Sequence, residues 1–132
     1  MTKPLVSIIT PCYNGEAFLK RYFESILNQT YPNLELIFIN DGSTDRTEEI
    51  ALSYRERLEK RGITYIYEKQ ENAGQAAALN RGLKLFTGEY LTWPDSDDEM
   101  VSDAVEKKVD YLEQHPDYGF CICKTKVVNI SS

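Results

Sequence analysis

Short apolar runs return along the chain at a nearly constant interval. They occupy residues 5–9, 34–39, 63–67, 89–93 and 118–123, with starts 26 to 29 residues apart. That interval is the length of one strand plus a crossover helix in a parallel sheet. The intervening segments carry apolar residues at helical spacing. After Asn14, which is expected to cap the first helix, the stripe is Phe18, Leu19, Tyr22, Phe23, Ile26 and Leu27, ended by "NQTYPN". Asp45 and Glu48 form an N-cap-like pair ahead of Ile50, Ala51, Tyr54 and Leu58. Ala76, Leu79, Leu83 and Phe86 mark a third helix stopped by Gly88. Val101, Val105, Val109 and Leu112 mark a fourth, stopped at "HPDYG". The strands do not alternate cleanly, as expected where helices cover both faces of a sheet. The pattern predicts an α/β fold with a mostly parallel, Rossmann-like sheet flanked by helices.

In such a sheet ligands bind beyond the carboxyl ends of the strands. The loops leaving the first four strands read "PCYNG", "NDGSTD", "EKQENAG" and "PDSDD". The opposite edge carries "TYPN", "KRG" and "FTG", plain turn sequences. Polar loops as such would fall on both edges, so the asymmetry points to a site on one.

The 132 residues amount to one domain, with 42% hydrophobic and 27% charged residues, an ordinary globular composition. A net charge of −6 argues against nucleic acid or an anionic membrane as the main partner. A phosphate ligand would need local help from amides or a cation. Cys12, Cys121 and Cys123 lie at no useful disulfide spacing, and the single histidine, His115, leaves no ligand set for structural zinc. Reduced thiols and a cytoplasmic setting are expected. "MTKPLVSIIT" lacks the apolar core of a signal peptide, and no run approaches the ~18 apolar residues of a membrane span.

Within "YLTWPDSDDEM", four carboxylates crowd five positions: Asp95, Asp97, Asp98 and Glu99. Ser96 with Glu99 matches a capping box, and acids suit a helix N-terminus. One or two acids suffice for that. Carboxylates at a strand end are also the hard oxygen ligands that Mn²⁺ or Mg²⁺ prefers. After the first strand, "TPCYN" has neither a G-x-G-x-x-G nor a P-loop, which weakens the dinucleotide and ATPase readings. Pro11 stiffens the strand exit, and Tyr13 offers a flat ring on which a base could stack. In "NDGSTD", Gly42 and Asp45 suit a turn and cap, whereas Asp41 is placed to accept an imide N–H from a uracil-like base. In "NAGQAAALNRG", the alanines suit a closely packed helix, Gly74 would let backbone approach a ligand, and Asn80 would anchor the loop.

Together, "VSIITPCYN", "LIFINDGSTD", the N-x-G-x-x-x-A-x-N-x-G run from Asn72 to Gly82, and "DSDD" resemble a family 2 glycosyltransferase, over almost the whole chain. The resemblance implies the A-type glycosyltransferase fold, with residues 1–132 as the nucleotide-sugar-binding, donor portion. It implies that Asp95 and Ser96 lie against the nucleotide, that Asp97, with Asp95, ligates Mn²⁺ or Mg²⁺ on the diphosphate, and that Pro11, Tyr13, Asn14, Asp41 and Gly74 surround the nucleotide. An arginine often precedes the second Asn of the Asn-x-Gly run in that family; here the residue is Leu79. The family's catalytic base is expected beyond residue 132, in an acceptor-binding half, so this stretch alone should bind donor without transferring sugar.

The function so implied is a metal-dependent, inverting glycosyltransferase of the hexosyl type in polysaccharide biosynthesis. It would move a sugar from a nucleotide sugar, a UDP-sugar foremost, to a saccharide or lipid-linked acceptor, in the cytoplasm or peripherally at the cytoplasmic membrane face. Two alternatives stay open: a sugar-1-phosphate nucleotidyltransferase, which should carry a glycine-rich phosphate loop where "PCYNG" stands, and a non-catalytic nucleotide-sugar-binding module.

Overall fold

The computed structural model describes residues 3–93, 101–114, 120–121 and 127–129. In chain order the elements are β1 (Val6–Cys12), α1 (Glu16–Leu27), β2 (Leu34–Asp41), α2 (Thr47–Ser53), α3 (Arg55–Lys60), β3 (Thr64–Gln70), α4 (Gln75–Leu83), β4 (Tyr90–Thr92), α5 (Ala104–Gln114), β5 (Phe120–Cys121) and β6 (Val127–Asn129). They form one sheet of order β3-β2-β1-β4-β6-β5. The first four strands in that order are parallel, as the spacing predicted, and β1 and β2 are buried along their whole length. The expected strand at 118–123 lies partly outside the described residues; its described part is β5. β6, which the apolar rhythm did not mark, runs antiparallel to both β4 and β5. Residues 122–126 are too few for a parallel crossover, which takes a dozen or more, so β5 and β6 pair antiparallel.

The strand faces sort into two cores. Val6, Ile8, Leu36 and Phe38 face α1, α2, α3 and α5, where Phe23 stacks on Tyr54 at 4.8 Å and on Phe38 at 5.5 Å. Ile9, Ile37, Ile39 and Leu91 face α4, with Ala78, Leu79, Leu85 and Phe86. Phe86, expected inside the third helix, packs there from beyond its end at Leu83. Four other members of the expected stripes are surface residues: Phe18 is 48% exposed, Leu83 39%, and Val101, ahead of α5, 69%, and Ala76 is exposed too.

The second helix was expected to be continuous; it breaks at Tyr54. The Ser53 hydroxyl donates to the Ile50 carbonyl at 2.6 Å, and the Tyr65 hydroxyl donates to the Ala51 carbonyl at 2.9 Å. Both carbonyls, in the last turn of α2, thus accept from side-chain hydroxyls. Asp45 and Glu48 do not form a capping box either. Asp45 accepts from the Thr47 amide at 3.0 Å, whereas Glu48 turns to the Tyr67 hydroxyl at 2.9 Å and the Lys69 ammonium at 3.5 Å.

The edge opposite the strand carboxyl ends is more than plain turns. Glu35, only 3% exposed, accepts from the Ser7 hydroxyl (2.8 Å), the Thr87 amide (2.9 Å) and the Thr87 hydroxyl (2.7 Å). Ser7 in turn accepts from the Gly88 amide at 2.8 Å. A buried carboxylate so clasped ties the turn before β4 to β1 and β2. Arg61 does similar work nearby, donating to the carbonyls of Leu27, Gln29 and Tyr31. Among the described residues no helix is long and apolar enough to cross a membrane.

α4 sits close on β1 because Gly82 has no side chain. A Cβ there would come within 2.4 Å of Cγ2 of the fully buried Ile9. Alanine in place of glycine stabilises an exposed helix by about 1 kcal/mol. Here overpacking should win, and Gly82→Ala is expected to destabilise by about 1–3 kcal/mol. Urea unfolding checks it; a midpoint above the native one would show that α4 moves away from β1 without cost.

Candidate functional site

The parallel strands deliver three described loops to one edge, and side chains stitch them together. The first loop follows β1. Pro11 is buried inside that strand, beside Ile39, rather than at its exit. Tyr13 is 53% exposed and leaves its ring accessible at the edge. Asn14 has a positive φ of 52°, a conformation that asparagine tolerates better than most residues. Its expected role as cap of α1 is not observed. The Asn14 side-chain oxygen accepts instead from the Thr44 backbone amide at 2.8 Å, and the Asn14 backbone amide donates to the Ser43 hydroxyl at 2.9 Å.

α1 is capped across the loops. The Gly15 amide donates to the Thr47 hydroxyl at 2.9 Å, and the Glu16 amide to Asp45 Oδ2 at 3.2 Å. Two amides that a helix start leaves orphaned are thereby satisfied by residues after β2. Burial pushes the Asp45 carboxyl up, but its bonds from Thr47 and Glu16 outweigh that and hold it below the usual carboxylate range.

The second loop pivots on Asn40 and Asp41. Asn40, fully buried, accepts from the Ser43 amide at 3.0 Å and donates to the Tyr67 hydroxyl at 2.9 Å. Burial raises the Tyr67 hydroxyl to about 12, which keeps it protonated and donating to Glu48. Asp41, 3% exposed, carries the densest set of bonds in the molecule's described polar network. Its Oδ1 accepts from Gln70 Nε2 (2.9 Å) and the Ala73 amide (2.8 Å). Its Oδ2 accepts from the Gly74 amide (3.0 Å) and Asn72 Nδ2 (3.3 Å). Burial alone would raise its pKa, yet the donors from Gln70, Ala73 and Gly74 hold it low, so the group stays ionised at neutral pH.

The third loop thus closes on the second. Gly42, at φ 68°, is where they touch: a Cβ there would lie 2.5 Å from the Asn72 backbone nitrogen. Gly74, at φ 99°, starts α4 and has open space beside it, with nothing within 4 Å of a built Cβ. Asn80 is exposed on α4.

Pro11, Tyr13, Asn14, Asp41 and Gly74 therefore share one edge, as the topology predicted. Asp95, Ser96, Asp97 and the neighbouring acids lie outside the described residues. Among the described residues no group of three or more His, Cys, Asp or Glu could hold a metal. Sequence reasoning missed Gln70, the Asn40–Tyr67–Glu48 network and the clasp at Glu35. A charged residue inside the otherwise apolar run "LELIFI" was the available signal for Glu35.

The model of the family described as "Glycosyl transferase family 2" matches residues 7–129. A glycosyltransferase of Haemophilus influenzae is 42% identical over 127 residues, covering 92% of this chain and 50% of its own length. The chain spans 33% to 50% of the length of the first curated relatives it matches. Among solved structures, the Staphylococcus aureus protein TarS (residues 1–349, in complex with UDP) superposes with a TM-score of 0.77 at 26% identity, covering 85% of this chain and 33% of that one. The mannosyltransferase PcManGT of Pyrobaculum calidifontis, in complex with GDP-Man and Mn²⁺, superposes with a TM-score of 0.87 at 23% identity, covering 99% of this chain and 46% of its own. The A-type glycosyltransferase fold expected from the sequence is the fold observed.

Removing the cross-loop cap should cost what helix caps cost. Asp45→Ala is expected to destabilise by about 0.5–2 kcal/mol at pH 7. The folded-state pKa of Asp45 is depressed, so its contribution is complete above the unfolded value of ~3.9 and is lost as pH falls through the folded value. The gap between native and variant urea midpoints should therefore close as pH drops below about 4. A gap that stays constant into strong acid would remove the carboxylate from the cap.

Proposed function

The chain belongs to glycosyl transferase family 2, and on that premise we propose that it binds the nucleotide of a UDP-sugar at the carboxyl edge of its parallel sheet, for transfer of the sugar to a saccharide or lipid-linked acceptor. The observation that carries the reading is the convergence of an exposed ring, Tyr13, an ionised carboxylate, Asp41, and the open backbone at Gly74 on that edge. TarS, at 26% identity, has been solved with UDP and with UDP-GlcNAc, which supports the choice of donor.

Each residue has a role in this reading. Tyr13 stacks on the base, beside Pro11 and Asn14. Asp41 accepts the imide N–H of uracil. Asp95 and Ser96 lie against the nucleotide, and the carboxylates of Asp97 and Asp95, hard oxygen donors, would hold Mn²⁺ or Mg²⁺. The ion supplies stabilisation of the negative charge that grows on the departing diphosphate. The displacement is inverting: a general base takes the acceptor hydroxyl's proton as its oxygen attacks the anomeric carbon opposite the diphosphate, and the nucleoside diphosphate leaves. Residues 1–132 supply the donor portion, and the reaction belongs to polysaccharide assembly at the cytoplasmic side of the membrane.

Calorimetry with nucleoside diphosphates tests the donor assignment. Cytosine has no ring N–H to give Asp41, and a hydrogen bond to a charged group is worth ~1.5–3 kcal/mol. UDP should therefore bind about tenfold or more tighter than CDP; equal affinities would take Asp41 out of the base pocket. Asp97→Ala should abolish the Mn²⁺-dependent part of UDP affinity while leaving the melting temperature at or above the native value. Undiminished Mn²⁺ dependence in that variant would exclude Asp97 as a ligand.

A further inference from the structure

The Asp41 carboxylate has no acceptor capacity left for a ligand. A carboxylate offers about four lone-pair sites, and four protein donors already point at this one: Gln70 Nε2, Asn72 Nδ2 and the amides of Ala73 and Gly74. If a base N–H is to be accepted there, one of them must leave. The two amides are fixed in the turn that opens α4. Asn72 Nδ2 is also bonded to the Asp41 carbonyl at 3.0 Å, and Asn72 is packed against Gly42. Gln70 is different. It ends β3, at the free edge of the sheet, directly across from Asp41 in the β2–β3 register. Its side chain is half-buried, has three rotatable bonds, and makes one described hydrogen bond through its Nε2.

We infer that Gln70 is a specificity-determining residue of the base pocket, which gives up Asp41 Oδ1 to the imide N–H of the base and donates its freed Nε2–H to the neighbouring base carbonyl. The inference rests on the Asp41–uracil reading above. The exchange breaks one hydrogen bond, Gln70 to Asp41, and makes two, imide to Asp41 and Gln70 to the carbonyl. Donor and acceptor stand side by side across the β2–β3 pair, the arrangement that an imide edge, with N–H flanked by C=O, complements. Cytosine offers a bare ring nitrogen to Asp41, an acceptor facing an acceptor, so it cannot trigger the swap.

The test titrates UDP and CDP, with Mn²⁺, into the native protein, Gln70→Ala and Gln70→Glu, with melting temperature as the fold control. Gln70→Glu keeps the size of the side chain and removes the donor. The expected result is a native preference for UDP and a loss of about tenfold in UDP affinity in both variants, with CDP affinity changed much less. A native preference for UDP, together with variants that bind UDP as tightly as native or tighter, would overturn the inference, because a residue that merely blocks Asp41 gives that result. Loss in Gln70→Ala with native affinity in Gln70→Glu would also overturn it, since packing and not donation would then matter. If the native protein does not distinguish UDP from CDP, the Asp41–uracil reading itself has failed, and the role of Gln70 falls with it.

Discussion

Strand β2 carries a carboxylate near each end, and the chain from β3 to β4 hangs between them. At one end Asp41 gathers the loop that opens α4; at the other, Glu35 gathers Thr87 ahead of β4. Both groups are 3% exposed. A buried carboxylate is costly unless its lone pairs are filled, so each can persist only with its loop folded onto it. The apolar contact of α4 with β1 and β2, made close by Gly82, lies between these two clasps. Burial supplies most of the free energy for that face, and the carboxylates set where along β2 the unit docks.

The same accounting constrains the candidate site. Amides at helix starts usually serve phosphates where a glycine-rich loop precedes them. Here those of α1 are taken by Thr47 and Asp45, and those entering α4 by Asp41. The edge is thereby stitched into one body, from Asn14 through Ser43 and Asn40 to Tyr67. The proposed reading gives the diphosphate's charge to a cation because Asp97 and Asp95 are hard oxygen donors.

The recurring apolar runs made four parallel strands and their crossover helices legible, because each run is long and its interval leaves room for little else. The site edge was legible for the same reason: topology alone gathers strand ends. What the sequence concealed was side-chain bonding between segments distant in the chain. Asn14 looks like a cap until Thr44 claims its oxygen. The second helix looks continuous, yet it breaks at Tyr54. Glu35 looks misplaced in an apolar strand until Ser7 and Thr87 surround it. β6 escaped because three residues carry no periodicity to read. Most of these misses are hydrogen bonds between segments far apart in the chain, which leave little local signature.

Amide hydrogen exchange at Ala73 and Gly74, in native protein and in Asp41→Asn, tests the clasp most directly. These two amides precede α4 and have only the Asp41 carboxylate as their described acceptor. If Asp41 holds the loop, they should be protected in the native protein to a level approaching the interior amides of β2. In the variant, which offers a single acceptor oxygen in place of two, that protection should be largely lost while β2 stays protected. Native amides that exchange at the rate of an open loop, or protection that survives Asp41→Asn unchanged, would contradict the account.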